Sequence, residues 1–141
     1  MELTRRNLLV ISAGAAAAAG LGAFPAMAST DVEALMSEFT GGADMGEGAI
    51  TLTTPEIAEN GNTVPVEFEA PGATEVALWA DGNPTPAVAT FKFGPMNPTR
   101  SAATRIRLAG TQNVIAVAKM EDGSFQMAKA TVKVTIGGCG G

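Results

Sequence analysis

Histidine is absent from this chain of 141 residues, and that absence removes several chemistries at once. No Ser-His-Asp or Cys-His nucleophile system can be assembled. No imidazole is available for zinc or copper, which excludes a copper-binding sandwich. Cysteine is nearly absent as well: Cys139 is the only one. A single thiol makes neither an internal disulfide nor a four-thiolate metal site. There is no Gly-rich phosphate loop with a following Lys. The chain alone reads as a non-enzyme, with no metal and no cofactor expected.

What is present begins with an export signal. Thr4-Arg5-Arg6-Asn7-Leu8-Leu9 sets paired arginines before an uncharged, Ala- and Gly-rich run from Leu8 to Phe24. Ala26-Met27-Ala28 then supplies a small-x-small cleavage pattern before Ser29. The arginine pair points to the twin-arginine route, so residues 1–28 are expected to be a signal peptide and the mature protein periplasmic. The alternative, an uncleaved membrane anchor, needs about 20 well-apolar residues, and this run is shorter and only weakly apolar. The twin-arginine route carries folded proteins, so the chain is expected to fold, or to meet a partner, before export.

The expected mature chain keeps seven Lys and Arg against thirteen Asp and Glu, a net charge of −6. An acidic surface with 5% aromatic residues argues against nucleic acid and against anionic membranes. It admits a basic protein partner. The length suits one domain, residues 29–136, followed by a short arm, residues 137–141.

One helix then several strands are expected. Thr30-Asp31-Val32-Glu33 carries a capping-box pattern with Thr30 as N-cap. Val32, Leu35, Met36 and Phe39 follow at helical spacing, and Gly41-Gly42 stops the helix. Such a short amphipathic helix must pack on something, its own domain or a partner. After Gly48 the pattern changes to period two. Val64, Val66, Phe68 and Ala70 form one apolar set; Val76, Leu78 and Ala80 another; Ala87, Ala89, Phe91 and Phe93 a third. Thr104, Ile106 and Leu108, then Val132, Val134 and Ile136, complete them. Asn60-Gly61, Pro71-Gly72, Asp81-Gly82 and Asp122-Gly123 mark turns. Short strands at this spacing predict an antiparallel β-sandwich. Pro65 places its strand at an edge or at a strand start. The five methionines outside the signal read as core filler.

Two segments are apolar on both faces. Val114-Ile115-Ala116-Val117-Ala118 is either a central strand or a strand with one face on a partner. Ala77 and Trp79, opposite Leu78, offer a second such surface.

The tail is the chemically distinctive segment: Gly137-Gly138-Cys139-Gly140-Gly141. Glycine brings no side chain to pack around the thiol, and chain ends are rarely tied down. A leftover Cys in an exported protein means an intermolecular bond or a free reactive thiol. Only a few per cent of an ordinary thiol is ionised at neutral pH, given a pKa of about 8.5. Nothing beside Cys139 in the sequence activates it, so activation is expected from whatever it docks with. Five residues at about 3.3 Å each reach about 16 Å, enough to thread a narrow cleft.

This tail, extended to Thr135-Ile136-Gly137-Gly138-Cys139-Gly140-Gly141, resembles the C-terminal signature of the SoxY family of bacterial thiosulfate oxidation. Pro55-Glu56-Ile57-Ala58-Glu59-Asn60-Gly61 with Val64-Pro65-Val66 resembles that family's early motif. Thr104-Arg105-Ile106-Arg107-Leu108-Ala109 with Thr111-Gln112-Asn113-Val114 resembles its late one. The resemblance implies an immunoglobulin-like sandwich paired with a second, leaderless sandwich, SoxZ. It implies that sulfur intermediates ride on Cys139, carried by the arm residues Gly137, Gly138, Gly140 and Gly141. It further implies transient visits to a cytochrome (SoxAX) that conjugates thiosulfate, to a manganese hydrolase (SoxB) that releases sulfate, and in many hosts to a sulfane dehydrogenase.

Other readings of the residues stand beside it. A Gly-Gly-tailed carrier can hold sulfur as a terminal thiocarboxylate, but this needs cytosolic activation and no tail Cys. A redox enzyme using Cys139 alone would lack a resolving Cys and an activating His. A structural sandwich dimerising through Cys139 has no use for four flanking glycines.

Overall fold

The computed structural model describes residues 31–136. Among these residues, nine strands follow a single helix. The helix α1 spans Val32–Thr40. The strands are β1 Met45–Glu47, β2 Thr51–Thr53, β3 Ile57–Ala58, β4 Val64–Glu69, β5 Ala73–Ala80, β6 Ala87–Lys92, β7 Ser101–Ile106, β8 Gln112–Met120 and β9 Phe125–Val134. They form two sheets facing each other, one ordered β1-β9-β8-β5-β6 with β3 also on β9, the other β2-β4-β7. This is the expected β-sandwich. Its long ladders are antiparallel, but β1 and β3 run parallel to β9, each covering part of the same edge.

Period-two patterning decides which face each strand buries. Val64, Val66 and Phe68 on β4 are at most 1% exposed, while Pro65, Glu67 and Glu69 face solvent. They meet Val76, Leu78, Val114, Ala116, Ala118 and Val132 from the larger sheet in one core. Phe68 packs edge-on against Phe91 and Phe93, with ring centroids 5.2 and 6.1 Å apart. The alternation assigned to Ala87 and Ala89 fails at that end. A bulge sits where Leu78 pairs with Ala89 but Trp79 pairs with Ala87. The extra residue, Val88, packs against the core instead.

The two-faced segments have a single explanation. Ala77, Trp79, Ile115, Val117 and Phe125 form a second buried cluster on the outer side of the larger sheet. Val32, Leu35, Met36 and Phe39 of α1 pack onto it. The Phe39 ring stands edge-on to Trp79 at 5.6 Å and to Phe125 at 5.9 Å. The helix therefore lies on its own domain. Trp79, which the sequence left as either core or a contact surface, is 5% exposed and belongs to the core, because the sequence shows which side of a strand is apolar but not what covers it.

Local details also differ. The N-cap is Asp31, whose carboxylate accepts from the Glu33 amide at 3.1 Å; Thr30 lies outside the described residues. Gly41 ends the helix in the left-handed conformation at φ 66°, as a glycine there allows. Of the five methionines, Met36, Met45, Met120 and Met127 pack against core clusters. Met96 does not: it is 92% exposed in the loop between β6 and β7. That loop is pinned by Arg100, which donates to the Gly94 carbonyl at 2.6 Å and pairs with Glu121 at 3.3 Å.

Pro65 lies in the middle strand of the smaller sheet, not on an edge strand. However, β2 pairs only with Glu67–Glu69 of β4. Carried two residues further, that register sets Pro55 opposite Pro65. Neither can donate a hydrogen bond, so the ladder stops there. A groove of about 510 Å³ opens at the break, lined by Thr53, Thr54, Pro55, Pro65, Ala103 and Arg105 among others.

Candidate functional site

Cys139 and the arm glycines Gly137, Gly138, Gly140 and Gly141 lie outside the described residues. What the structure defines is the root from which they extend. The β8–β9 ladder runs out at the pair Gln112–Val132. Beyond it, the chain is held from two sides. On one side β3 lies parallel to it, and the Lys133 amide donates to the Glu56 carbonyl at 2.9 Å and the Thr135 amide to Ala58 at 3.1 Å. On the β8 side the backbone partner is gone, and the Thr111 hydroxyl replaces it, accepting from the Val134 amide at 3.0 Å.

One further bond follows. The Gly61 amide donates to the Ile136 carbonyl at 2.9 Å, and the Gly61 carbonyl accepts from the Leu108 amide at 2.8 Å. Gly61 is buried and Leu108 fully so. The Asn60 side chain shapes the turn by accepting from the Asn62 amide at 3.0 Å. Ile136 itself is 66% exposed. The apolar alternation of Val132 and Val134 therefore ends before Ile136, which sits at the pole of the sandwich rather than in its core.

Thr111 stands on a polar platform. Asn83 donates to the Arg107 carbonyl at 2.8 Å and accepts from the Ala109 amide at 2.9 Å. Gln112, 6% exposed, donates to Asn83 at 2.8 Å and to the Gly110 carbonyl at 3.1 Å, and accepts from the Gly82 amide at 2.8 Å. A buried amide satisfied on both ends is costly to disturb. Next to it Asn113 bonds both Asp81 oxygens, by its amide at 2.8 Å and its side chain at 2.7 Å, and accepts from Thr131 at 2.7 Å. The β5–β6 turn, the β7–β8 loop and the C-terminal end of β9 are thus locked into one pole.

No group of three or more Cys, Asp or Glu able to hold a metal gathers among the described residues. Among the described residues, Asp122 is held below the usual carboxylate range by the Ser124 hydroxyl and amide. It belongs to the β8–β9 turn, at the opposite pole from the root.

Sequence reasoning singled out three motifs far apart in the chain. The structure brings them together. The first supplies Glu56, Ala58 and Gly61, and the second supplies Thr111, with Leu108 and Gln112 behind them; together they hold Lys133 to Ile136, where the third begins. The grip itself was not foreseen, since hydrogen bonds between a loop and a chain end leave no periodicity. In the sequence these bonds coincide with the two inner motifs that support the tail's resemblance.

Fold and root together define a class: an immunoglobulin-like β-sandwich whose last strand is clamped at one pole and continues into a glycine-framed thiol. The chain belongs to the SoxY family, since the profile of sulfur oxidation protein SoxY matches residues 36–139. Among solved structures, the sulfur carrier protein SoxY from Chlorobium limicola f thiosulfatophilum is similar at 32% identity and a TM-score of 0.66. The match covers 74% of this chain and 92% of that one. A superoxide reductase (neelaredoxin) from Ignicoccus hospitalis is similar in fold, with 13% identity, a TM-score of 0.55 and coverage of 62% and 80%. A putative superoxide reductase from Thermotoga maritima has 13% identity, a TM-score of 0.52 and coverage of 70% and 91%. At such identities only the sandwich is shared. No curated relative matches the chain.

Proposed function

We propose that this protein is a periplasmic sulfur carrier that holds thiosulfate-derived intermediates covalently on Cys139 and presents them to partner enzymes. The observation that carries the reading is the pairing of a family match with a firm root. The family profile runs to residue 139, the thiol itself. The sandwich is hydrogen-bonded as far as Ile136, three residues before it. A carrier needs such a division between a rigid body that partners recognise and a thin segment that enters their sites.

In this reading the protein supplies the thiol and the enzymes supply the chemistry. Loading joins the Cys139 sulfur to the sulfane sulfur of thiosulfate. A disulfide-type S–S bond forms, the thiol proton is released, and two electrons pass to the haem protein that catalyses the step. Hydrolysis then adds water across the S–SO₃⁻ bond, releasing sulfate and leaving a persulfide on Cys139. Each intermediate stays tethered, so each enzyme meets it at a local concentration set by the arm rather than by diffusion.

A second sandwich of the SoxZ type is the proposed stable partner, with SoxAX-, SoxB- and, in some hosts, dehydrogenase-type enzymes as transient ones. Export by the twin-arginine route fits assembly before translocation. Of the two outer sheet faces, α1 covers one. The other, on β2-β4-β7, carries the groove between Pro55 and Pro65 and is the face we assign to the partner.

Intact-mass spectrometry of the protein from cells grown on thiosulfate tests the carrier reading. Sulfur and sulfonate adducts mapping to Cys139 are expected. A C-terminal thiocarboxylate, a bare thiol under all conditions, or a homodimeric disulfide alone would each replace it.

A further inference from the structure

A sheet leaves unpaired backbone along its edges, and proteins guard such edges against stray strands with cover, bulges, proline, lysine or short length. Here β9, β6 and β2 are guarded. β9 is flanked by β1 and β3, three and two residues long. β6 carries the bulge and ends on Lys92. β2 has three residues and is soon followed by Pro55. The remaining edge, β7, has neither cover, bulge nor proline. Its six residues keep an unbroken register with β4, and its one charged side chain is Arg105.

The phase of that ladder decides which backbone groups are free. The Ala70 amide donates to the Arg100 carbonyl at 2.8 Å, and residues along an antiparallel pair alternate between bonded and non-bonded. Ala102, Thr104 and Ile106 therefore turn their N–H and C=O groups to β4. Ser101, Ala103 and Arg105 turn theirs outward, and all three residues are exposed. The same phase continues to Arg107, whose outward carbonyl accepts from Asn83. No hydrogen bond among the described residues reaches the outward groups of Ser101, Ala103 and Arg105.

We propose that β7 is a strand-docking edge: the second sandwich adds one of its own strands to the β2-β4-β7 sheet there and sets a carboxylate beside Arg105. The inference rests on the partner assignment and deepens it. In this mode backbone pairing supplies affinity and side chains select the partner. Ala103 and Arg105 also line the groove on the outer face, so edge and face form one continuous surface. Charge decides the occupant. Neither Arg105 nor Arg107 has an ion-pair partner among the described residues, and a docked strand with Asp or Glu at that end supplies one. A second copy cannot. From Thr99 to Arg107 the chain has no acidic residue, so β7 paired with its own copy brings no carboxylate to either arginine.

The test uses the exported chain, alone and co-expressed with the second sandwich of the same organism, and reads amide exchange residue by residue. In the free chain Ser101, Ala103 and Arg105 should exchange fast, and Ala102 and Thr104 slowly. In the complex that alternation should vanish, because the three outward amides slow by at least about 10-fold. Ala103→Pro removes an N–H that the fold does not use, a change an edge strand tolerates. The variant should melt as wild type does, while its Kd for the second sandwich rises at least about 10-fold. Arg105→Glu should raise Kd about 10-fold as well, and Arg105→Lys far less. If the proline variant fails to melt cooperatively, Arg105→Glu and the exchange pattern decide. A heterodimer in which the alternation persists would overturn the proposal. So would outward amides already slowed in the free chain by self-association, or an unchanged Kd for both Ala103→Pro and Arg105→Glu. A second sandwich that does not bind at all removes the partner assignment and this inference with it; one that binds while Ser101, Ala103 and Arg105 stay open to exchange removes this inference alone.

Discussion

The amide of Gly61 donates to the carbonyl of Ile136, 75 positions later in the sequence, at 2.9 Å. It joins the turn after β3 to the residue that precedes Gly137. Because Gly61 also accepts from the buried Leu108, Ile136 is tied indirectly to the core between the sheets.

Cys139→Ser should abolish sulfur loading and leave the fold intact. The thiol follows Ile136, the last hydrogen-bonded residue described, by three positions in sequence. Thiosulfate-dependent oxygen uptake in a reconstituted system and thermal melting check the two halves separately. Residual turnover, or a large loss of stability, would remove Cys139 from its assigned place.

Replacing Gly137, Gly138, Gly140 and Gly141 with Val should slow loading while iodoacetamide still reaches the thiol. β-Branched side chains widen and stiffen the arm. Single-turnover loading rates compare the two arms directly. Equal rates would show that the glycines are incidental.

Phe39→Ala should destabilise the domain by about 2 kcal/mol. A fully buried Phe→Ala change costs about 3–5 kcal/mol, and Phe39 is half-buried. For a domain near 100 residues this shifts the melting midpoint by about 8–10 °C. The helix covers Trp79, so tryptophan fluorescence should shift toward that of a hydrated indole in the same variant. A melting curve identical to wild type would mean that α1 contributes nothing to stability.

Ala103→Glu should split the complex with the second sandwich. Ala103 lines the groove on the uncovered sheet, and a stable complex needs to bury about 1,200 Å² or more. A new carboxylate in that groove would be desolvated without a partner. Co-expression followed by size exclusion with light scattering reads the outcome. A heterodimer that survives the change would move the interface to another surface, and a chain that ignores the second sandwich altogether would remove the partner.

Sequence alone determined the outline of this protein. Alternation at Val64, Val66 and Phe68, and again at Thr104, Ile106 and Leu108, is a local property of extended chain, so the sandwich was readable from it. The helical stripe of α1 was readable for the same reason. The Cys139 arm stands out in the sequence because four glycines around a lone thiol have no structural use, and it lies outside the described residues. Tertiary structure decided what periodicity cannot carry. It settled that Trp79 and Val117 are covered by the protein's own helix, since a strand's second apolar face looks the same whatever lies on it. It put Val88 rather than Ala87 against the core, because a bulge shifts the register by one residue without altering composition. It also gathered Gly61, Thr111 and Ile136 at one pole, through hydrogen bonds between segments whose separation in sequence bears no relation to their separation in space.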